Sequence, residues 1–505
     1  MSRDCNFDWN LADKNSQRHL VEIKSAVKQD TPTYWSSKTP NRVFGGMPTR
    51  AYRFGLELAT SRWVILAVFG ALTLTILEGA IRKWIVGTDS SVLSYVIYFS
   101  KDIAFIALLF LPAEKNPGSA SLVFRRWLIP GSFLLISGAM ASSVQGVNLV
   151  GSALTLRAAV LLPLIAYFAI KKLNGVSLRN VALLLTVFTF ANFVLGIYQN
   201  SLPADSLFNR YASSSTDITV LDSGVRATGT FAYIAGMGVI SMVGIWAGMV
   251  LLSLSGKRWD RLGGWVALIS GFGCSLTAVS RSPVILGAVM LLIWGVFYRV
   301  GISSGVRILV AGVLMWFLVM LFGLAPTFSN LGEGLIQRGE EAGDTFQDRA
   351  FGQFEEAYEA ITIAPFGNGL GSEQVAGNFY KSGVMSFTTF ENQLPRLIME
   401  TGVFGLVGFL MICVGAVSTL QFVKRSATTE SERSVLLATQ LLLVSMFYTN
   451  VLFNHTASAF TWVIFVVVLG GRVKAASPEL AEIGAPQVRR AFLSRGGLGH
   501  APRLG

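Results

Sequence analysis

Long apolar runs separated by short polar connections fill most of residues 63–471 of this 505-residue chain. Crossing hydrocarbon as a helix takes about 20 apolar residues. The runs predict about twelve spans: 63–81, 92–111, 127–144, 149–170, 180–199, 229–254, 265–280, 282–298, 307–325, 401–422, 435–453 and 457–471. The segment at 265–280 is short and meets its successor at Ser280-Arg281-Ser282-Pro283, where a tight turn is expected. One long polar stretch, Pro326 to Glu400, interrupts the pattern. The predicted fold class is therefore all-α, a polytopic transmembrane helical bundle with a large, partly helical extracytoplasmic loop between spans 9 and 10. Its parts are an N-terminal tail (1–62), a first set of spans (63–325), the loop (326–400), a second set of spans (401–471) and a C-terminal tail (472–505).

Composition agrees. The chain is 52% hydrophobic and 14% charged, whereas soluble domains carry roughly a quarter charged residues. Cys5 lies in the N-terminal tail and Cys274 and Cys413 lie in apolar runs, so no disulfide framework is expected. Residues 1–62 lack an early apolar core and a small-residue cleavage site; the first span is expected to act as the insertion signal, without cleavage. Gly and Pro show no period of the length that solenoid repeats require.

Charge sets the expected orientation. The stretch 326–400 holds eleven acids and four bases, a local charge of −7 in a chain of +12. Cytoplasmic connections collect Lys and Arg. One alternate set of connections holds the ten bases of the N-terminal tail, Lys115/Arg125/Arg126, Lys171/Lys172/Arg179, Lys257/Arg258/Arg261, Arg299/Arg307, Lys424/Arg425/Arg433 and the basic C-terminal tail. The other set holds far fewer bases and the acidic loop. Both tails are therefore expected in the cytoplasm and the loop outside. Membrane lipids are the expected surroundings, the basic tails being suited to anionic headgroups, and no nucleic acid is expected as a partner.

The bases on the outer side recur at the ends of several spans. Arg82 and Lys83 close the first in Glu78-Gly-Ala-Ile-Arg82-Lys83-Trp84, where snorkelling beside an interfacial Trp is one reading. Arg157 lies eight residues into the fourth span, about 12 Å deep at about 1.5 Å per residue, and must face a counter-ion or a polar cavity. Lys101 and Asp102 are similarly deep in the second span, as functional groups or as members of an interhelix ion pair. Arg226 stands in Gly-Val-Arg226-Ala-Thr-Gly-Thr, and Arg281 follows Ser280 in the turn before Pro283. A planar guanidinium fork suits phosphate or pyrophosphate, so these residues together point to a phosphate-bearing lipid headgroup.

Within the loop, residues 345–361 place Phe346, Ala350, Phe354, Ala357 and Ile361 at helical spacing, predicting an amphipathic helix that packs this stripe on the bundle and carries Arg349. A glycine turn, Pro365-Phe-Gly-Asn-Gly-Leu-Gly371, and Phe390-Glu391-Asn392-Gln393-Leu-Pro-Arg396 lead into the tenth span.

Residues 78–422 resemble the bacterial O-antigen ligase and polysaccharide polymerase group of membrane glycosyltransferases. The marks are EGAIRKW at 78–84, RATGTF at 226–231, SRSP at 280–283, an Arg-bearing loop helix, PFGNGLG, and ENQLPRLIMETGVFG at 391–405. The resemblance implies an inverting transferase that takes a glycan from an undecaprenyl-pyrophosphate carrier on the outer leaflet and passes it to a glycan acceptor, using neither metal nor cofactor. It implies roles in holding the pyrophosphate for Arg226, Arg281 and Arg349, to which the depth of Arg157 adds a fourth. Arg82, Lys101, Asp102, Ser280, Asn392 and Arg396 would support the site. The family's His-Asn pair is replaced by Glu391-Asn392, so the proton-accepting base is Glu391, if burial brings its pKa toward neutrality, or His455 in the turn before the last span.

The expected activity is polymerisation, in preference to ligation, of lipid-linked oligosaccharide units in exopolysaccharide or O-antigen assembly, with other assembly proteins as further partners. The alternative is a flippase for lipid-linked oligosaccharides, since twelve spans also suit two six-helix halves.

Overall fold

The computed structural model describes residues 49–87, 92–110, 119–144, 148–170, 172–173, 176–211, 220–221, 224–254, 258–298, 345–373, 392–449 and 451–470; a few side chains within these ranges, those of Arg281 and residues 345–351 among them, lie outside that description. The predicted span at 307–325, most of the acidic loop, Glu391 and most of both tails also lie outside it. The chain divides into Met1–Phe54 and Gly55–Gly505. Only the start of the first helix is described in the former, and all that follows concerns the latter.

The described residues are mostly helical: α1 (Thr49–Ala80), α2 (Val92–Ala107), α3 (Ser119–Ser142), α4 (Leu149–Leu156), α5 (Leu162–Ala169), α6 (Leu178–Asn200), α7 (Ile234–Ser253), α8 (Arg258–Thr277), α9 (Arg281–Tyr298), α10 (Thr345–Ile363), α11 (Gln393–Ser426), α12 (Glu430–Thr449) and α13 (His455–Gly470). A two-residue antiparallel pair, β1 (Val220–Leu221) and β2 (Gly224–Val225), sits between α6 and α7. Among the described residues, six stretches are long and apolar enough to cross a membrane: Val64–Val86, Ala120–Ser142, Leu149–Ala169, Leu178–Asn200, Ile234–Ser253 and Gln393–Ser426. The other described spans of the sequence reading fall on helices that are shorter or more polar.

The core forms around α7, whose residues are buried almost throughout, as expected of a helix apolar on every side. Trp246 at its centre is fully buried and donates Nε1 to the Thr439 hydroxyl of α12 at 3.0 Å, so its one polar atom is satisfied inside the bundle. Helices α3 and α11 meet along small residues: a Cβ on Gly131 would lie 2.7 Å from the Gly408 carbonyl, and one on Gly408 would lie 2.5 Å from that of Gly131. Only glycine lets backbones come this close, a common device where burial from water is not the driving force.

Among the described residues, two helices widen into π turns. The first, Ile81–Val86, continues α1 and contains Arg82 and Lys83; the second, Arg157–Leu161, joins α4 to α5. In the second the Leu162 N–H reaches back five residues to the Arg157 carbonyl. Pro163, just beyond, has no N–H to give Ala159, which removes an ordinary helical bond at the same place.

The loop helix α10 packs on α11 through Ala357, Ala360 and Ala364 against Ile398 and Met399. Of the predicted stripe, Ala357 and Ile361 pack as expected, but Phe354 is 60% exposed and Gln353 is buried in its place. Alanines admit a closer approach to α11 than a phenylalanine stripe would.

Candidate functional site

The sequence marks gather at one end of the bundle, around the last turn of α1. Glu78 is buried and accepts from Arg82 Nη1 at 2.9 Å, one helical turn on, and from Lys101 Nζ of α2 at 2.6 Å. Asp102 accepts from Arg157 Nε at 2.6 Å, and Nη2 of the same guanidinium stands 2.5 Å from that oxygen as an ion pair. Lys101 and Asp102 thus enter interhelix ion pairs, each with a different partner. Arg157 Nη1 makes no hydrogen bond among the described residues. The Tyr98 ring lies within this group, with Lys101 Nζ 4.4 Å, Arg82 Cζ 5.3 Å and Arg157 Cζ 6.0 Å from its centroid. His455 meets the same ring edge-on at 5.5 Å; it is buried, and neither ring nitrogen has a hydrogen-bond partner among the described residues.

Lys83 is 1% exposed, so snorkelling does not describe it. Its Nζ donates to the Thr228 hydroxyl at 2.8 Å and to the Gly229 carbonyl at 2.7 Å, and stands 4.9 Å from the Trp84 ring. No carboxylate partners it among the described residues. Buried charges ordinarily have a counter-charge, so this ammonium stands out. The sequence signal was Arg82-Lys83 itself, read as one interfacial pair.

The Lys83 contact ties the first mark to the second. The loop at 226–231 is fixed from beneath by Gln199, whose Oε1 accepts from the N–H groups of Thr228 at 3.1 Å and Gly229 at 2.8 Å, and by Asn192, which accepts from Thr230. Arg226 donates Nε to the Ala278 carbonyl at 3.1 Å, and the Ala227 N–H reaches the Thr277 carbonyl at 3.1 Å. The second mark therefore rests on the turn that leads into the third. That turn is Ala278–Ser280: Ser280 N–H bonds the Ser275 carbonyl, Val279 takes φ of 49°, unusual for a β-branched residue, and Arg281 opens α9.

A second buried group lies across α4. Glu400 is fully buried and accepts from the Thr155 hydroxyl at 2.5 Å and from the Glu373 N–H at 3.1 Å. Arg396 donates to the Glu373 carbonyl and lies 4.1 Å from the Phe453 ring centroid. Here α11 breaks at Gly402, whose φ of 66° admits the glycine turn: Asn368 N–H bonds the Met399 carbonyl at 2.6 Å and Val403 N–H bonds that of Pro365 at 3.0 Å. Ser152 then donates to the Leu370 carbonyl at 2.9 Å. Neither Glu400 nor Thr155 figured among the candidate residues, although a carboxylate inside the apolar run of residues 397–414 was a visible signal.

The turn at 451–454 links the two groups, with Phe453 under Arg396 and His455 beside Tyr98; Gln393 holds it by accepting from Leu452 N–H at 2.8 Å. Asn392 is the first residue before α11 and donates to Glu356 of α10 at 3.1 Å. Arg349 lies on α10. Electrostatically, the first group holds four cations (Arg82, Lys83, Lys101, Arg157) and two carboxylates (Glu78, Asp102) among the described residues. Burial raises the Tyr211 phenol, near Arg226, above its ordinary pKa, which keeps it a hydrogen-bond donor. Among the described residues, no group of three or more His, Cys, Asp or Glu is placed to hold a metal. Searches of protein-family models and of curated proteins find no match for this chain.

Proposed function

We propose that the chain is an inverting membrane glycosyltransferase that takes a glycan from a lipid pyrophosphate and passes it to an acceptor hydroxyl, in exopolysaccharide or O-antigen assembly. The observation that carries this reading is Lys83, a buried ammonium without a carboxylate partner among the described residues, next in sequence to Arg82 and bonded to the loop that carries Arg226. An anion is the natural complement to such a group. Arg281 and Arg349, on neighbouring elements, would complete the grip.

In the proposed step an acceptor hydroxyl gives its proton to a base and attacks the anomeric carbon from the face opposite the pyrophosphate. The bond to the pyrophosphate breaks, its new charge is held by the cations, and the configuration inverts. His455 is favoured as the base by its place among Tyr98, Lys101 and Arg157 with both ring nitrogens open; Glu391 is the second candidate.

The reading also takes the bundle to have about twelve spans with both termini cytoplasmic, in the inner membrane of a bacterium. The far end of the bundle supports this orientation: Arg125, Arg126, Arg258, Arg261 and Arg425 are exposed there, where cytoplasmic bases belong.

A flippase is the second reading, favoured by helices interrupted at Arg157–Leu161 and Gly402, since transporters bind substrate at broken helices. Purified protein in vesicles with a lipid-linked oligosaccharide separates the two. New glycosidic bonds are expected; leaflet exchange without bond formation would establish the flippase instead.

A further inference from the structure

Between α6 and α7, next to Lys83, lies a lobe whose side chains the pyrophosphate reading does not use. Trp84 and Tyr198 both pack edge-on against Phe208, at 5.6 and 5.4 Å between centroids, and Tyr211 lies 5.8 Å from Tyr233 with the rings inclined by 30°. Tyr198 and Tyr233 keep 48% and 38% of their surface exposed, so the wall is open on one side.

The same lobe collects unmade hydrogen bonds. Trp84 Nε1, Asn200 Oδ1, Asn209 Oδ1 and the Tyr211 hydroxyl are buried and have no partner among the described residues. Asn209 and Tyr211 are themselves 3% and 5% exposed. Leaving a buried donor or acceptor unmade is costly, so four in one lobe call for a ligand that makes them. The set is uncharged and mixes donors with acceptors. It does not complement a phosphate, which only accepts, nor an isoprenoid tail, which does neither. A membrane-interface belt does not account for it either, because an interfacial indole turns its N–H toward water and that of Trp84 is buried.

We propose that this wall is a sugar subsite, holding the first pyranose ring of the donor glycan by its C–H face against the aromatic side chains, with ring hydroxyls bonded to Trp84, Asn209 and Tyr211. Lys83, whose neighbour in sequence is Trp84 and whose ammonium fixes the loop behind Arg226, places this ring directly beside the anion site. The inference rests on the pyrophosphate reading.

The test is binding to purified protein of undecaprenyl pyrophosphate, sugarless or bearing one glucose, galactose or N-acetylglucosamine. At least one sugar-bearing probe should bind tenfold or more tightly than the sugarless one. Tyr211→Phe and Tyr233→Ala should cut that advantage at least threefold, with sugarless binding and thermal midpoint unchanged. Equal affinity for all probes would overturn the sugar subsite and leave the pyrophosphate reading standing. An equal loss for sugarless and sugar-bearing probes in the variants would overturn it in favour of a wall that holds the isoprenoid. Absence of binding by every probe would overturn both.

Discussion

Lys83 of the first π turn donates to the hydroxyl of Thr228 at 2.8 Å, across 145 residues of chain. This bond and its partner to Gly229 fasten the end of one helix to the loop that presents Arg226. Lys83→Met is expected to lower affinity for undecaprenyl pyrophosphate at least tenfold, while Thr228→Val, which removes only the hydroxyl, costs about 1 kcal/mol of stability and little affinity. Equal losses of affinity in the two variants would show that the loop's position, and not the ammonium charge, is what matters.

Glu78 is shared by Arg82 and Lys101. Glu78→Gln leaves two buried cations facing a neutral amide, and removing one partner of a buried ion pair costs about 3–5 kcal/mol. A large fall in the thermal unfolding midpoint in detergent is expected. An unchanged midpoint would mean that neither cation depends on this carboxylate.

Gly402 lets α11 break around the glycine turn. A Cβ there would stand 2.6 Å from the Pro365 carbonyl oxygen and 2.7 Å from Phe366 Cα. Gly402→Ala adds that clash to the roughly 1–3 kcal/mol that a positive-φ backbone with ψ near 180° costs other residues. The expected result is a lower midpoint and faster proteolytic cleavage near residues 365–373, both measurable on purified protein.

Kinetics separate the two candidate bases. Loss of a general base lowers turnover by about 10²–10⁴-fold. His455→Phe keeps an aromatic edge against Tyr98 and is expected to show that loss in kcat with KM little changed, while Glu391→Gln stays near normal. The opposite pattern would move the base to Glu391.

The helices were legible where an apolar run is long and sharply bounded, as in the six stretches long enough to span among the described residues, and the meeting of EGAIRKW, RATGTF and SRSP agrees with placing their bases on one side. Pairing was not legible. Nothing in the order of residues says that Lys101 takes Glu78 while its neighbour Asp102 takes Arg157, since that depends on the phase of three helices, one of which is altered by a π turn. The face of α10 was legible only in part: periodicity found Ala357 and Ile361, which pack, but also marked Phe354, which is exposed, and missed the buried Gln353.

The π turn at Arg157–Leu161 has a mechanical meaning. A turn of this kind holds one residue more than an ordinary helical turn, which offsets everything on one side of it by about 100° of rotation against the other. Thr155 meets Glu400 and Arg157 meets Asp102 while Leu162, Ile165 and Ala169 still face the core. Deleting any one of residues 158–161 would act like a slipped gear tooth, swinging both polar contacts out of mesh with the core-facing residues beyond the turn without changing their chemistry.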